Sequence, residues 1–271
     1  MRRVLLFLKS QLASLRSKLF PALLALLASV PAGAQTPLRL AAAADLEPVL
    51  PPLLAQFENQ TGLRVDATYQ ASAVLTSQIE NGAPFDLFLS ADMSFPQRLI
   101  DAGSADARGF ANPRAPVPYA RGTLVLWTRK DSHLLPSLVL LSNPALKRLA
   151  IANPDRAPYG RAAVAALTSL KLDDALKPRL VTAENIAQAA QFVDSGNADA
   201  GLISLTSALT RQLSASGSYF VIPHDLYPPI EQGAVIVSAT HQRAAARQLL
   251  DFLLSPAVQA ELPKSGLTPV K

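Results

Sequence analysis

From Leu38 to the end of the chain, short apolar runs alternate with longer stretches of helical periodicity. Short apolar runs are typical of buried strands, and a repeat of apolar positions every three to four residues is typical of helices. The alternation predicts an α/β fold with mostly parallel strands, because parallel neighbours need a helical crossover. The strand candidates are residues 38–43, 63–69, 86–90, 123–128, 149–152, 179–182, 199–204, 218–222 and 234–238.

Two irregular segments interrupt this alternation. Residues 104–122 carry glycine, proline and asparagine with little periodicity, and residues 223–231 form a second, proline-rich crossing. Two crossings around a central α/β block predict one lobe inserted into another. Residues 36–120 plus 228–271 are then expected to form lobe one, and residues 121–227 lobe two. A ligand is expected in the cleft between the lobes, where strand-to-helix turns converge.

The first 34 residues have the pattern of a secretory signal peptide. A basic stretch precedes an apolar run over 19–30, and small residues at 32–34 favour cleavage after Ala34. The run is short for a bilayer span, and no Cys is present for a lipid anchor. We expect export by the general secretory route to the periplasm, without lipid anchoring. An uncleaved anchor and twin-arginine export through Arg2 and Arg3 are the alternatives.

The net charge of +5 is carried by this leader. Residues 1–34 hold five basic residues and no acidic one, so the remainder of the chain is electrically balanced. A nucleic acid is therefore not an expected partner. The chain also has no Cys at all, so its hydrophobic core has to stabilise it without disulfides.

Polar residues stand where several predicted strands give way to helices. Asp45 follows the first strand, Ser72 opens the next helix, and Tyr159-Gly160 and Asn185 precede two later helices. Helix N-termini present unpaired N–H groups and the positive end of the helix dipole. Several of them facing one cleft would bind an anion without Arg or Lys. Taken singly, each polar residue is more typical of an ordinary helix cap.

Five segments carry the most specific sequence pattern of the chain. They are LRLAAAADLEPVL at 38–50, QASAVLTSQIENGAPFDLFLSAD at 70–92, IANPDRAPYGRAA at 151–163, AENIAQAAQFVDSGNADAGLIS at 183–204 and DLYPPIEQGAVIV at 225–237. In this order they resemble the periplasmic molybdate-binding proteins of ABC transporters. The resemblance implies a two-lobed, type II periplasmic-binding-protein fold. It also implies capture of molybdate or tungstate for an ABC membrane permease.

The resemblance further implies which residues hold the ligand. Hydroxyls and backbone N–H groups bind the oxyanion in that family, and the matching positions are Asp45, Ser72, Tyr159, Ile186 and Ser204. The metal enters only as the centre of the oxyanion, without direct protein ligands, and no cofactor is implied.

Asp45 departs from the family pattern, since the first contact is usually a Ser. A carboxylate facing a dianion in a dry cleft would repel it strongly. Asp45 is therefore expected to turn its carboxylate away as a helix cap, either with its backbone N–H on the ligand or with no ligand role. Pro48, Pro51 and Pro52 follow closely, so the first helix is expected to start late or kink. Asp86 and Asp92 flank a buried strand and are expected to fix a loop.

Other functions fit the sequence less well. An enzyme would need a recognisable motif, and the chain has no Cys nucleophile, no G-x-S-x-G elbow, no zinc motif and no P-loop. A binder of sulfate, phosphate or a small organic acid stays open, because Arg121 and Arg156 lie near expected cleft turns and suit a carboxylate. A ligand-sensing regulator domain is the third alternative. The expectation is a monomeric binding protein, with the choice between molybdate and tungstate undecided.

Overall fold

A computed structural model describes residues 36–270, so the signal peptide predicted for residues 1–34 lies outside the described residues. The strands are β1 Leu38–Ala43, β2 Val65–Gln70, β3 Leu87–Ser90, β4 Ala105–Asp106, β5 Val117–Gly122, β6 Leu124–Arg129, β7 Leu149–Ala152, β8 Leu180–Ala183, β9 Ala200–Ser204, β10 Gly217–Val221, β11 Ile230–Val237 and β12 Thr268–Pro269.

The α-helices lie mostly between these strands. They are α1 Leu50–Thr61, α2 Ser72–Glu80, α3 Ser94–Asp101, α4 Leu138–Leu141, α5 Pro158–Ser169, α6 Asp173–Leu176, α7 Ile186–Asp194, α8 Leu205–Ala208, α9 Arg211–Ser216, α10 Arg243–Leu253 and α11 Pro256–Glu261. Short 3-10 turns cover Ala44–Leu46, Lys130–Ser132, Lys177–Arg179, His224–Leu226 and Leu262–Ser265. Within residues 36–270, no helix has the length and apolar character needed to cross a membrane.

The strands form two sheets, and each sheet is the centre of one lobe. The first sheet has the order β12-β5-β11-β3-β1-β2, with β4 beside β11, and the second has the order β10-β6-β9-β7-β8. The chain enters the second sheet at β6, directly after β5, and returns to the first sheet at β11. We call the parts of the chain built on the first and the second sheet the first lobe and the second lobe.

The expectation of mostly parallel strands is wrong. Among the described residues, β1 runs parallel to β2 and β3, and β7 runs parallel to β8 and β9. The other six strand pairings are antiparallel. They involve strands such as β5, β6 and β11, which lie next to the points where the chain crosses from one lobe to the other. Antiparallel neighbours need no helical crossover.

Residues 104–122 also depart from their interpretation as irregular, because they contain β4 and β5. Pro118 lies inside β5 and obscures the strand pattern, since proline lacks a donor for the ladder. The pairing of β5 with β11 shifts register between Gln232 and Gly233, where Gly233 lies opposite Pro118. Such a bulge interrupts the ladder locally and accommodates the proline.

The late start expected for the first helix is confirmed. After β1 the chain makes the 3-10 turn Ala44–Leu46, and α1 begins only at Leu50 with Pro51 and Pro52 in its first turn. Proline is tolerated there because first-turn N–H groups have no acceptor within the helix.

The core of the second lobe extends to the ends of two first-lobe strands. Ala43, Ala44 and Ala91 belong to the same buried cluster as Trp127 and the other apolar side chains of the second lobe. The first lobe has its own clusters on the two faces of its sheet, around Phe57 and around Phe88. The carboxyl ends of β1 and β3 therefore lie at the junction of the lobes, which is where this architecture places ligands.

Candidate functional site

Asp45 lies at the junction and is fully buried. Its Oδ2 accepts hydrogen bonds from the Tyr159 hydroxyl at 3.1 Å and from Nε2 of Gln232. Its backbone carbonyl accepts from Oγ1 of Thr206 at 2.7 Å. Tyr159 and Thr206 belong to the second lobe, so Asp45 joins the two lobes.

The expectation that Asp45 turns its carboxylate away as a helix cap is wrong. The turn Ala44–Leu46 has no side-chain cap hydrogen bond, and the carboxylate instead points at partners on β11 and α5. Burial raises the pKa of Asp45 from 3.8 to about 6, although the hydrogen bonds from Gln232 and Tyr159 act to lower it. The physical cause is that loss of water disfavours the charged form.

Two buried acceptor atoms at this position lack a donor. Among the described residues, Oδ1 of Asp45 and Oε1 of Gln232 have no hydrogen-bond partner. Each such orphaned atom costs about 1–3 kcal/mol. The hydrogen bonding of these two side chains is therefore incomplete without a further donor.

Ser72 is the first residue of α2 and is buried at the junction. Its Oγ accepts the N–H of Ala91 at 3.1 Å. A hydroxyl has one donor and two acceptor sites, so this bond leaves the Ser72 O–H available. The next N–H of the helix, that of Ala73, donates to the carbonyl of Arg156 in the second lobe at 3.1 Å. Ser72 thus presents a donor where the lobes meet.

Tyr159 lies in the first turn of α5 and is buried. Burial raises the pKa of Tyr159 well above 10, so its hydroxyl keeps its proton and donates it to Asp45. The backbone N–H of Tyr159 has no acceptor within the helix, because first-turn N–H groups never do. That N–H is the group of Tyr159 that remains for an anion.

Two glycines permit this placement of Tyr159. A Cβ at Gly122 would lie 2.1 Å from the Tyr159 hydroxyl. A Cβ at Gly160 would lie 2.3 Å from the carbonyl oxygen of Ala152. Both distances are far below van der Waals contact, so any larger residue would displace the start of α5.

Ile186 begins α7 after the cap Asn185, whose side chain accepts the N–H of Gln188 at 2.9 Å. The helix packs against the turn that contains Asp45, and the Ile186 side chain lies in the same cluster as Ala44. The cap leaves the N–H of Ile186 as an unpaired first-turn donor beside the junction.

Ser204 ends β9 and caps α8. Its Oγ accepts the N–H of Ser207 at 3.2 Å and lies 2.9 Å from the hydroxyl oxygens of both Ser207 and Thr206. Thr206 in turn contacts the carbonyl of Asp45. Ser204 therefore belongs to the hydroxyl network behind Asp45, and a ligand contact from Ser204 itself stays a prediction.

Sequence reasoning missed Gln232 and Thr206 at this junction, and it missed the ion pair that Asp92 forms with Arg161. Gln232 is fully buried within the apolar strand β11, and a polar residue inside an apolar run was the available signal. No sequence pattern indicated Thr206. Asp92 fixes its loop, as expected, by accepting the N–H of Phe95, but it also pairs with Arg161 of the second lobe. The guanidinium of Arg161 lies 5.2 Å from the ring centre of Phe95.

The two arginines considered for an organic acid are engaged elsewhere. Arg121 pairs with Glu231 at 2.8 Å, and Arg156 pairs with Glu184. All four side chains are well exposed, so neither arginine is buried beside Asp45 and Ser72. Within residues 36–270, no cluster of three His, Cys, Asp or Glu side chains could hold a metal ion.

Two clefts open along the junction, each lined by residues from both lobes. One, of about 680 Å³, lies between α2 and Arg156, and the other, of about 480 Å³, lies between the ion pair of Asp92 with Arg161 and Pro228-Pro229. Asp45 and Ser72 line neither cleft and are buried. A ligand can therefore reach them only when the lobes separate.

Comparison with known proteins places these features in context. The family model for bacterial extracellular solute-binding proteins matches residues 38–268. The molybdate-binding protein ModA of Azotobacter vinelandii is 39% identical over 218 residues, which are 80% of this chain and 84% of that protein. The molybdate-binding protein ModA of Rhodobacter capsulatus is 36% identical, over 78% of this chain and 80% of that protein.

A solved structure gives the same result for the fold. The periplasmic molybdate-binding protein of Azotobacter vinelandii superposes with a TM-score of 0.79 at 33% identity, over 86% of this chain and all of that chain. The predicted two-lobed, type II α/β fold is thereby confirmed.

Proposed function

The chain belongs to the family of bacterial extracellular solute-binding proteins, and from that premise we propose that it captures molybdate and delivers it to an ABC importer. Two relatives that are 39% and 36% identical over about four fifths of the chain are named molybdate-binding proteins. They are binding proteins for transport, and we propose that this chain likewise performs no catalysis.

The observation that carries the proposal is the set of donors at the junction. The Ser72 hydroxyl and the first-turn N–H groups of Tyr159 and Ile186 come from helix starts in both lobes. Aligned helix N-termini attract anions through their free N–H groups and dipoles. A tetrahedral oxyanion that accepts from both lobes would bind the closed arrangement better than the open one.

Molybdate suits such a site because a dianion at neutral pH needs donors above all. Sulfate has the same shape but is smaller, so a cleft of fixed size would leave donors unpaired around it. Phosphate is partly protonated near neutral pH and also wants an acceptor. Tungstate resembles molybdate in size and charge, and we propose that it binds as well.

The proposed cellular setting follows from the leader and the relatives. We propose that residues 1–34 direct export and are removed, and that the protein works in the periplasm as a monomer that docks on a membrane permease. The similar solved structure is a periplasmic protein by its name, which supports this location.

A calorimetric titration series tests the function. The chain from Gln35 onward, stripped of bound ligand, is titrated with molybdate, tungstate, sulfate and phosphate at one pH. We expect one molybdate per chain and much weaker binding of sulfate and phosphate. Failure of both molybdate and tungstate to bind would refute the proposal, whereas equal binding of sulfate would remove only the selectivity.

A further inference from the structure

The junction proposed to hold a dianion contains too many acceptors for that task. Oδ1 of Asp45 and Oε1 of Gln232 are buried without a donor, and they lie on two side chains that touch each other. An anion brings only further acceptors, so its arrival would worsen this imbalance. A proton on Oδ1 of Asp45 would turn one of these acceptors into a donor and remove the charge of the carboxylate.

We propose that the protein takes up one proton from solvent together with each oxyanion, and that Asp45 holds this proton on Oδ1. The inference rests on the proposed function, since it concerns the same site. Oδ2 then keeps its hydrogen bonds from Tyr159 and Gln232, and the new O–H becomes a donor inside the closed cleft. A neutral acid donates to the dianion where a carboxylate would repel it.

The burial of Asp45 supports this assignment. Burial raises the pKa of Asp45 to about 6 before any ligand is present, even though the hydrogen bonds from Gln232 and Tyr159 act to lower it. A dianion within a few ångströms disfavours the carboxylate further, so the acid form persists in the complex at higher pH. A proton is therefore gained on binding at pH values between about 6 and the higher pKa that Asp45 has in the complex.

Within residues 36–270, no other ionisable group near Asp45 is placed to take this proton. The groups that face it are the hydroxyls of Tyr159 on α5 and Tyr119 on β5, and burial raises the pKa of both phenols well above 10. They are protonated throughout the neutral range and stay so. Tyr119 donates to the carbonyl of Ser90 at 3.0 Å, so its proton is already used.

The charged side chains on the neighbouring elements are at the surface. Six of them are exposed. They are Arg39 on β1, Asp66 on β2, Arg121 on β5, Arg161 on α5, Glu231 on β11 and Glu47 just after the turn that contains Asp45. Asp194, at the far end of α7, is half-buried and accepts from Gln212 and Ser216. Helix α8 carries no ionisable residue. Among the described residues, Asp45 is thus the buried carboxylic acid at this site that can hold the proton.

Calorimetry in two buffers counts the proton directly. The chain from Gln35 onward is titrated with sodium molybdate at pH 8, in two buffers of equal ionic strength but different ionisation enthalpy. The difference in apparent binding enthalpy gives the protons exchanged. We expect uptake of close to one proton per molybdate, and close to none in Asp45→Asn, because the amide supplies a donor at every pH.

The affinity gives a second readout. Between pH 7 and 9 we expect the molybdate association constant of the native chain to fall about tenfold per pH unit, and to level off below about pH 6. Asp45→Asn is expected to bind with a nearly constant affinity. Asp66→Asn is the control, since it removes an exposed carboxylate on β2, the strand that packs beside the Asp45 turn, and its pH slope is expected to match that of the native chain.

Each result is decisive. Molybdate binding without proton uptake, or an equal pH slope in Asp45→Asn, would overturn the inference while leaving the proposed function intact. Absence of molybdate binding at every pH in both chains would instead overturn the proposed function. If Asp45→Asn does not fold, the two-buffer measurement on the native chain decides the question alone.

Discussion

The Tyr159 hydroxyl donates to Oδ2 of Asp45 across the junction of the lobes at 3.1 Å. Asp45 follows the first strand of the first lobe, and Tyr159 opens a helix of the second lobe. The bond exists only when the lobes are together, so closure and the protonation state of Asp45 are linked. Each change at this pair is expected to alter both ligand affinity and its pH dependence.

Ser72→Ala is expected to weaken molybdate binding by about 1.5–3 kcal/mol, the range for a hydrogen bond to a charged group. The Ser72 hydroxyl is buried and accepts from Ala91, which leaves its proton for the ligand. Titration calorimetry measures the change. Ser77→Ala, on the exposed face of the same helix, serves as the control, and equal affinities in the two variants would remove Ser72 from the site.

Tyr159→Phe is expected to shift the pH profile of molybdate affinity toward higher pH. The hydrogen bond from Tyr159 lowers the pKa of Asp45, so its loss raises that pKa and extends the pH range of tight binding. The profile is measured between pH 6 and 9. Tyr219→Phe, at an exposed position on β10, should leave the midpoint where it is, and an unshifted midpoint in Tyr159→Phe would contradict the coupling.

Arg161→Ala is expected to speed molybdate dissociation a few-fold. Arg161 pairs with Asp92 across the cleft and lies over Phe95, so its loss destabilises the closed state. The pair is partly exposed, with 42% and 15% of the side chains accessible, and such pairs contribute about 1 kcal/mol or less. Stopped-flow dissociation checks this against Arg121→Ala, which breaks an ion pair within the first lobe, and the idea fails if the two rates agree.

Asp45→Asn is expected to stabilise the ligand-free protein at pH 8 but not at pH 4. The folded pKa of Asp45, about 6, exceeds the ordinary value of 3.8, so the folded state holds a proton that the unfolded chain has released. Stability of the native chain therefore falls as pH rises from about 4 to 6, by up to about 3 kcal/mol. Thermal melts at both pH values test this, with Asp66→Asn as an exposed control, and a gain that is equal at pH 4 would argue against it.

Molybdate at a hundredfold excess over its dissociation constant is expected to stabilise the protein by about 2.7 kcal/mol. For a chain of this size the melting midpoint then rises by about 2–4 °C for each kcal/mol. Sulfate at the same concentration should produce a much smaller shift. Small-angle scattering on the same samples is expected to show compaction with molybdate alone, and identical curves with both anions would exclude selective closure.

Local sequence patterns were enough to predict most of the strands and helices. The first strand, the helix starts at Ser72 and near Tyr159 and Ile186, and the late start of α1 are all set by short-range preferences that a single sequence displays. The strand β5 escaped prediction because Pro118 breaks its pattern, and only the bulge opposite Gly233 makes that proline tolerable.

What the sequence by itself determined is the class of fold, the leader pattern and the supply of donors at helix starts. What only the tertiary structure decided is the environment of Asp45. Its partners Tyr159 and Gln232 are 114 and 187 residues away along the chain, and their contact depends on how two lobes and a returning strand meet. Burial then changes the chemistry of the carboxyl group, because the free energy of a charge depends on the water around it and not on residue type.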